Sequence, residues 1–485
     1  MLSLTQAARD CPDQLALLDD DRALSFRQLH QGSRALLEGL VEQGLAALLD
    51  RTPARPWVPV AFEGNNDVET LVLLYALLDA RVPFLPLHPR LTPAEQTNLV
   101  ERAGAVWLRR DGSRWTVQAT PGGKRDFEGP PPAVLIATSG TTATARLVRL
   151  SYTALEASAQ ATWDWLGDCD DDRWQLSLGI AHVGGLSILT RCLLRRCPVI
   201  VDDPASEPEI RLGRLLRHHC TLLSLVPAQL EPLLATPFDA RRLRLRALLL
   251  GGARASPRLT EQAKKAGWPV LLTYGMTEMA SQVTAQPLSD LDDDPDEHTR
   301  DAGLPMAGVE VRIVLGRIEV RGRSLFDGYL GQSPSPLTED GWYATSDLGI
   351  LDQQGRLVSE GRRSDRIVTG GENVSPAEVE AVLEACPAVV AAGVVGLDDE
   401  RWGSVVAAAY VTDPLDCSPE TSIIEQLQSL CAERLAPFKR PRRYLRLARL
   451  PLNAQGKLDR RALLGAFSTS TGDVSDPGQV PHLPR

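Results

Sequence analysis

The sequence predicts an α/β protein, with a large N-terminal domain of packed sheets and helices followed by a small C-terminal α+β domain. Three observations predict it. At 485 residues the chain exceeds what one ordinary core organises, so two or more domains are expected. Up to Gly275, short apolar runs alternate with amphipathic stretches, as in largely parallel sheets covered by helices. Beyond Ala302 the texture changes to period-two alternation around turn glycines, which predicts antiparallel strands.

The strand candidates, in order, are VPVAF (58–62), AVLIA (133–137), CPVIVDD (197–203), LLSLV (222–226), RALLLGG (246–252) and PVLLTYG (269–275). DVETLVLLYALLDA (67–80) and PRLTEQAKKAG (257–267) are helix candidates between them. GVEVRIVLGRIEVRGR (308–323) predicts a hairpin. In VSPAEVEAVLEACP (374–387), Ser375 suits an N-cap, Pro376 the first helical position, and Glu378 completes a capping box. A boundary near Arg362–Asp365 divides the chain into 1–361 and 362–467. The Ser/Pro/Gly-rich stretch 468–485 reads as a disordered tail.

Composition narrows the function. Hydrophobic residues at 43% and charged residues at 24% are the balance of a globular protein. A net charge of −10 argues against nucleic acid as a partner while permitting a local basic pocket. The start, MLSLTQAARDCPDQLALLDDD, carries no signal-peptide pattern, and no run of apolar residues is long enough for a membrane span. Eight scattered cysteines without a metal-ligand pattern read as reduced thiols, so a cytoplasmic location is expected. The acidic stretches DCDDD (168–172) and SDLDDDPDE (289–297) read as solvated loops. A homo-oligomer is compatible with all of this.

Four stretches carry chemistry-bearing residues. ATSGTTATARLVRLS (137–151) follows a strand candidate and crowds hydroxyls and backbone donors into a possible phosphate nest or an ordinary polar turn. TYGMTEMASQ (273–282) offers an aromatic, a hydroxyl and a carboxylate fit for Mg²⁺, or a plain strand end. WYATSDLG (342–349) offers Asp347 to sugar hydroxyls, or an Asx turn. NAQGKLDRRAL (453–463) contributes Lys457 in a turn, by itself a solvated charge.

These motifs, with GRRSD and GGEN between the last two, stand in the order of one family. From about Pro12 to Leu464 the sequence resembles the acyl-adenylate-forming superfamily of acyl-CoA synthetases, luciferases and nonribosomal adenylation domains. The resemblance implies activation of a carboxylic acid by ATP and Mg²⁺ to an acyl-AMP, then transfer to a thiol, with coenzyme A as co-substrate. It assigns Lys457 to catalysis, with His182, Thr277 and Glu278, the last also the Mg²⁺ carboxylate. Thr138, Ser139, Gly140, Thr141, Thr142 and Arg146 form the phosphate loop. Gly251, Gly252 and Ala253 receive adenine, Tyr274 stacks on it beside Gly275 and Met276, and Asp347 and Arg362 hold the ribose. Ser364 is the hinge of a mobile small domain whose Gly370, Gly371, Glu372 and Asn373 line a thiol tunnel. The family loop usually reads T-S-G-T-T-G-x-P-K-G; here Ala143, Ala145 and Arg146 replace the glycine, proline and lysine. Arginine keeps the charge and adds a planar fork for phosphate oxygens.

Within the superfamily, AHVGGLSILTRCLLRRCPVIV (181–201) and TYGMTEMASQV (273–283) are most similar to the o-succinylbenzoate–CoA ligases of menaquinone synthesis. That implies a dicarboxylic aromatic ketone as substrate, with His182 on the pocket wall, Ser281 and Gln282 as polar lining, and Arg191 as partner of the second carboxylate. The competing readings are another aryl- or short acyl-CoA ligase and a non-catalytic relative that senses nucleotide or acid.

Overall fold

The computed structural model describes residues 1–45, 57–118, 130–138, 146–292, 294, 301–332, 335–362, 365–369, 372–399, 402–413, 419–453 and 456–469. The apolar runs become Val60–Glu63, Val134–Thr138, Val199–Val201, Leu222–Leu225, Ala247–Leu250 and Val270–Met276. They fall into two sheets. One has six strands, in the order Arg114–Gln118, Val106–Asp111, Val60–Glu63, Phe84–Leu87, Val134–Thr138, Arg146–Leu150, parallel inside and antiparallel at both edges. The other runs Leu304–Pro305, Ser281–Ala285, Val270–Met276, Ala247–Leu250, Leu222–Leu225, Trp174–Leu176, Val199–Val201, Leu15–Leu18, Ala23–Ser25, again parallel in its centre.

One continuous core joins them, with Phe62 and Phe84 from the first sheet, Trp174 and Leu176 from the second. Between these pack Leu71 and Leu74 of the helix Val68–Asp79 and Leu186 and Leu189 of Val183–Arg195. A helix apolar on nearly every face, as Val68–Asp79 is, finds a stable place only where both sides are covered.

The predicted hairpin forms from Val309–Val314 and Arg317–Gly322, and Tyr343–Leu351 and Leu357–Arg362 complete an antiparallel sheet of four. Among the described residues, strands from Ile367 onward pair only with one another: Ile367–Thr369 with Glu372–Val374, and Val389–Asp399, Gly403–Thr412 and Arg443–Arg446 in a three-stranded sheet. The small domain docks on the large one. Arg254 Nη1 reaches Glu380 Oε2 at 3.5 Å and Glu384 Oε2 at 3.9 Å, and Arg258 Nη1 donates to the Pro387 carbonyl at 3.1 Å.

Two expectations are corrected. Ser375 is the N-cap of Pro376–Glu384, yet no capping box forms: its hydroxyl donates to the Glu360 carbonyl at 2.8 Å, tying the helix to the preceding sheet. The Glu378 carboxylate is taken instead by the Lys439 ammonium, at 2.7 and 2.8 Å, a charged and therefore stronger donor than a backbone amide. Nor are the acidic stretches wholly solvated. Asp172 is buried, accepting from Arg246 at 2.6 and 2.8 Å and from the Thr221 hydroxyl at 2.7 Å. Asp290 is buried against Arg356, which also binds Asp301 beyond the stretch.

Candidate active site

The strand Val270–Met276 leaves its sheet in a tight turn, Thr277–Met279, and returns antiparallel as Ser281–Ala285. Gly275 permits this, because a Cβ there would collide with the Ser281 carbonyl. The turn carries Glu278 to the edge of the Arg146–Leu150 strand, where Tyr329 donates to Glu278 Oε1 at 2.7 Å and Tyr343 lies 3.4 Å from the same oxygen. No hydrogen bond among the described residues takes the second oxygen. A hard anionic oxygen presented this way suits Mg²⁺.

Asp347 faces Arg362 across neighbouring strands, Nε to Oδ1 at 3.6 Å, and its Oδ2 accepts from the Tyr274 hydroxyl at 2.7 Å. Tyr274 is thus an aromatic edge anchored by the expected ribose carboxylate; burial and the Asp347 charge raise its phenol pKa well above normal, so it stays a donor. Beside it, Gly251 and Gly252 follow the strand Ala247–Leu250, and a side chain at Gly251 would meet the Thr273 hydroxyl. Ala253 continues that loop half-buried.

Lys457 arrives from the small domain in a turn whose ends are bridged at Leu452 and Leu458, the Lys457 amide donating to Asn453 Oδ1 at 3.0 Å. Gly456 brings the backbone of that turn close to the large domain, where a side chain on it would touch Ala228 and Val226. Burial and the Arg362 charge push the Lys457 pKa down, while Asp347 and Glu278 act against them. These four residues, drawn from both domains, therefore share one electrostatic neighbourhood.

His182 borders that neighbourhood. It opens the helix Val183–Arg195 without a side-chain cap bond, and its Nε2 is buried with no hydrogen-bond partner among the described residues. Burial, then the charges of His88, Lys457 and Arg90, bring its pKa down to about 4. The imidazole is neutral at physiological pH. His88, which sequence reasoning missed, packs against it with ring centroids 5.0 Å apart; only its place after a buried strand hinted at it.

Farther along the same helix, Arg191 donates through Nη2 to Ser281 Oγ and Gln282 Oε1, both at 3.0 Å. Three of the four expected substrate residues, Arg191, Ser281 and Gln282, are thus brought together, with Arg191 and Gln282 buried behind the half-buried Ser281. Arg191 has no carboxylate within ion-pair distance among the described residues, and its Nε and the Gln282 amide nitrogen are buried without partners. Burial lowers the Arg191 pKa to about 9. A guanidinium so placed would be relieved by an incoming anion.

Thr138 and Arg146, at the two ends of the expected phosphate loop, pair across neighbouring strands, Thr138 Oγ1 donating to the Arg146 carbonyl at 3.3 Å. Ser139, Gly140, Thr141 and Thr142, together with Ser364, Gly370 and Gly371, lie outside the described residues. Glu372 is exposed at the start of the strand Glu372–Val374, which also contains Asn373.

The model of the AMP-binding enzyme family matches residues 117–330, and that of the AMP-binding enzyme C-terminal domain matches 378–457, together more than half of the chain. This chain belongs to the AMP-binding enzymes. A 2–succinylbenzoate–CoA ligase from Bacillus pumilus (strain SAFR-032) is 31% identical over 483 residues, covering 93% of this chain and 95% of its own. The o-succinylbenzoate CoA synthetase (MenE) from Bacillus subtilis, solved with the acyl-adenylate intermediate OSB-AMP, superposes with a TM-score of 0.81 at 29% identity, covering 98% of this chain and 99% of that one. The same enzyme with ATP and magnesium ion gives 0.80 at 29% identity, with 95% and 98% covered. Among the described residues no helix is long and apolar enough to cross a membrane.

Proposed function

We propose that the protein is an AMP-forming acid–CoA ligase that converts 2-succinylbenzoate to 2-succinylbenzoyl-CoA, the reaction named for its relatives. The observation that carries the chemistry is that the charges of Arg362, Asp347 and Glu278 all act on the buried Lys457 ammonium. The division of labour lies between a body ending at 361 and a lid from Arg362 to 467.

In the first half-reaction a substrate carboxylate oxygen attacks the α-phosphorus of ATP, an O–P bond forms, and pyrophosphate leaves. Two anions must be brought together, so fixed cations supply most of the catalysis. Lys457 bridges the attacking carboxylate and the α-phosphate. Asp347, steadied by Tyr274 and Arg362, accepts from the ribose hydroxyls. Arg146 and the hydroxyls of 138–142 hold the β- and γ-phosphates. Glu278 fits Mg²⁺, which when bound offsets phosphate charge. In the second half-reaction the CoA thiolate attacks the acyl carbonyl and AMP departs with the bonding pair.

The substrate assignment is supported by Arg191. An ordinary aryl acid has no second carboxylate to meet it, whereas 2-succinylbenzoate keeps one anionic carboxylate after the other is activated. Ser281, held by the Arg191 guanidinium at 3.0 Å, is the less buried of the two residues and would meet that carboxylate first, and the neutral His182 offers a donor without competing for the reacting carboxylate.

Isotope exchange between pyrophosphate and ATP, run with 2-succinylbenzoate, benzoate and a medium-chain fatty acid, tests the reading. Exchange strongest with 2-succinylbenzoate is expected. Exchange with another acid alone would keep the chemistry and discard the substrate; exchange with none would leave the sensor.

A further inference from the structure

The segment Phe326–Leu330 is laced to the strand that begins at Arg146. Asp327 N–H donates to the Arg149 carbonyl at 2.9 Å, Arg149 N–H to the Gly328 carbonyl at 3.0 Å, and Leu330 N–H to the Leu147 carbonyl at 2.8 Å. Val148 and Tyr329 form a β-bridge. At its other end, Phe326 N–H donates to the Glu278 carbonyl at 2.8 Å. One short stretch therefore spans from the magnesium carboxylate to the tail of the phosphate loop, with Tyr329 in its middle.

Tyr329 uses both of its parts. A phenol has a single proton; given to Glu278 Oε1 at 2.7 Å, it leaves the Tyr329 oxygen to accept from the Tyr343 hydroxyl at 2.8 Å. Phe326 meets both rings edge-on, centroids at 5.0 and 5.1 Å, which fixes their planes. Meanwhile the Arg146 guanidinium lies over the Tyr329 ring, 4.7 Å from its centroid. A π face holds a cation without neutralising it, so the charge stays available to phosphate oxygens.

Building on the adenylate-forming reading, we propose that Tyr329 is a positioning residue with two separable tasks. Its hydroxyl turns Glu278 so that Oε2 is presented to Mg²⁺, and its ring steadies Arg146 beside that carboxylate.

The test is calorimetric binding of ATP to the full chain with and without Mg²⁺, with Mn²⁺ binding followed by electron paramagnetic resonance. Y329F, which keeps the ring, is expected to weaken Mn²⁺ binding and Mg²⁺-dependent ATP binding about tenfold, in the range of lost partners of a metal ligand, leaving metal-free ATP binding unchanged. Y329L should weaken metal-free ATP binding as well; R146M supplies the same arm if Y329L does not fold. Y329F indistinguishable from wild type, or equal losses with and without metal, would overturn the proposal. Binding that behaves as expected while pyrophosphate exchange stays silent with every acid would instead count against the ligase reading alone.

Discussion

We predict that Glu384 makes the docking of the small domain on the large one sensitive to pH. Its carboxyl is buried at the seam, with Oε2 unpartnered by any hydrogen bond and Oε1 accepting from the Ala392 amide at 3.4 Å. Arg254 and Glu231 face it from the large domain and Glu380 from its own helix; Arg258 lies along the same seam, and Arg460 is held by Glu380 at 2.7 Å. Burial raises its pKa from 4.5 to about 7, with Arg254 opposing and Glu380 and Glu231 adding to the rise. Undocking returns the group toward water and its ordinary value. The docked state therefore binds the proton more tightly, so docking is favoured in acid and weakens as pH climbs from the exposed to the docked pKa. At about 1.4 kcal/mol per unit, the full span is on the order of 3 kcal/mol. Between pH 6 and pH 8 roughly one unit of it operates, about tenfold in the ratio of docked to undocked protein. Glu384→Gln should abolish that slope. The assay is single-turnover adenylation and, separately, thioester formation from pre-formed acyl-adenylate, with each rate taken as variant over wild type at the same pH so that ionisation of the CoA thiol cancels. Adenylation by the variant should gain on wild type as pH rises. Parallel profiles for the two proteins would refute the reasoning, because Glu384 would then be buried equally in both poses.

Arg191→Met should raise KM for 2-succinylbenzoate about 30- to 100-fold, the loss of one charge-assisted interaction, and leave benzoate turnover unaffected; equal losses with both acids would mark Arg191 as a structural group. Folding should survive the change, since this arginine breaks no ion pair among the described residues, and thermal unfolding checks it. Arg246→Ala strands the buried Asp172 and should cost about 3–5 kcal/mol in urea unfolding without altering KM. A loss below about 1 kcal/mol would mean that water reaches that carboxylate.

Much of the fold was legible because its strands are continuous apolar runs, from VPVAF to PVLLTYG, and such runs need covering on both faces. The ordered motifs also pointed to Lys457, Glu278, Asp347 and Arg362 as candidates, since each is marked by neighbours close in sequence. What stayed hidden depends on contacts between distant residues. Tyr329 meets Glu278 across 51 positions, and nothing in FDGYLG announces a carboxylate. Asp172 read as solvated because an acidic cluster looks so, and its partner Arg246 lies 74 residues on. The capping box at Ser375 failed for the same reason: Lys439, 61 residues from Glu378, outcompetes a local amide. His88 became visible only when the end of its strand was seen to lie against His182.

The central claim is that a lysine carried in by the lid activates 2-succinylbenzoate. It is tested most directly by following AMP release and the mass of the CoA product from ATP, Mg²⁺, CoA and 2-succinylbenzoate, with wild type beside Lys457→Ala. The account predicts 2-succinylbenzoyl-CoA in stoichiometric amount with AMP, and a fall of roughly 10²-fold or more in the variant, comparable to losing an oxyanion donor. Undiminished AMP release by Lys457→Ala, or AMP without the thioester, would contradict it.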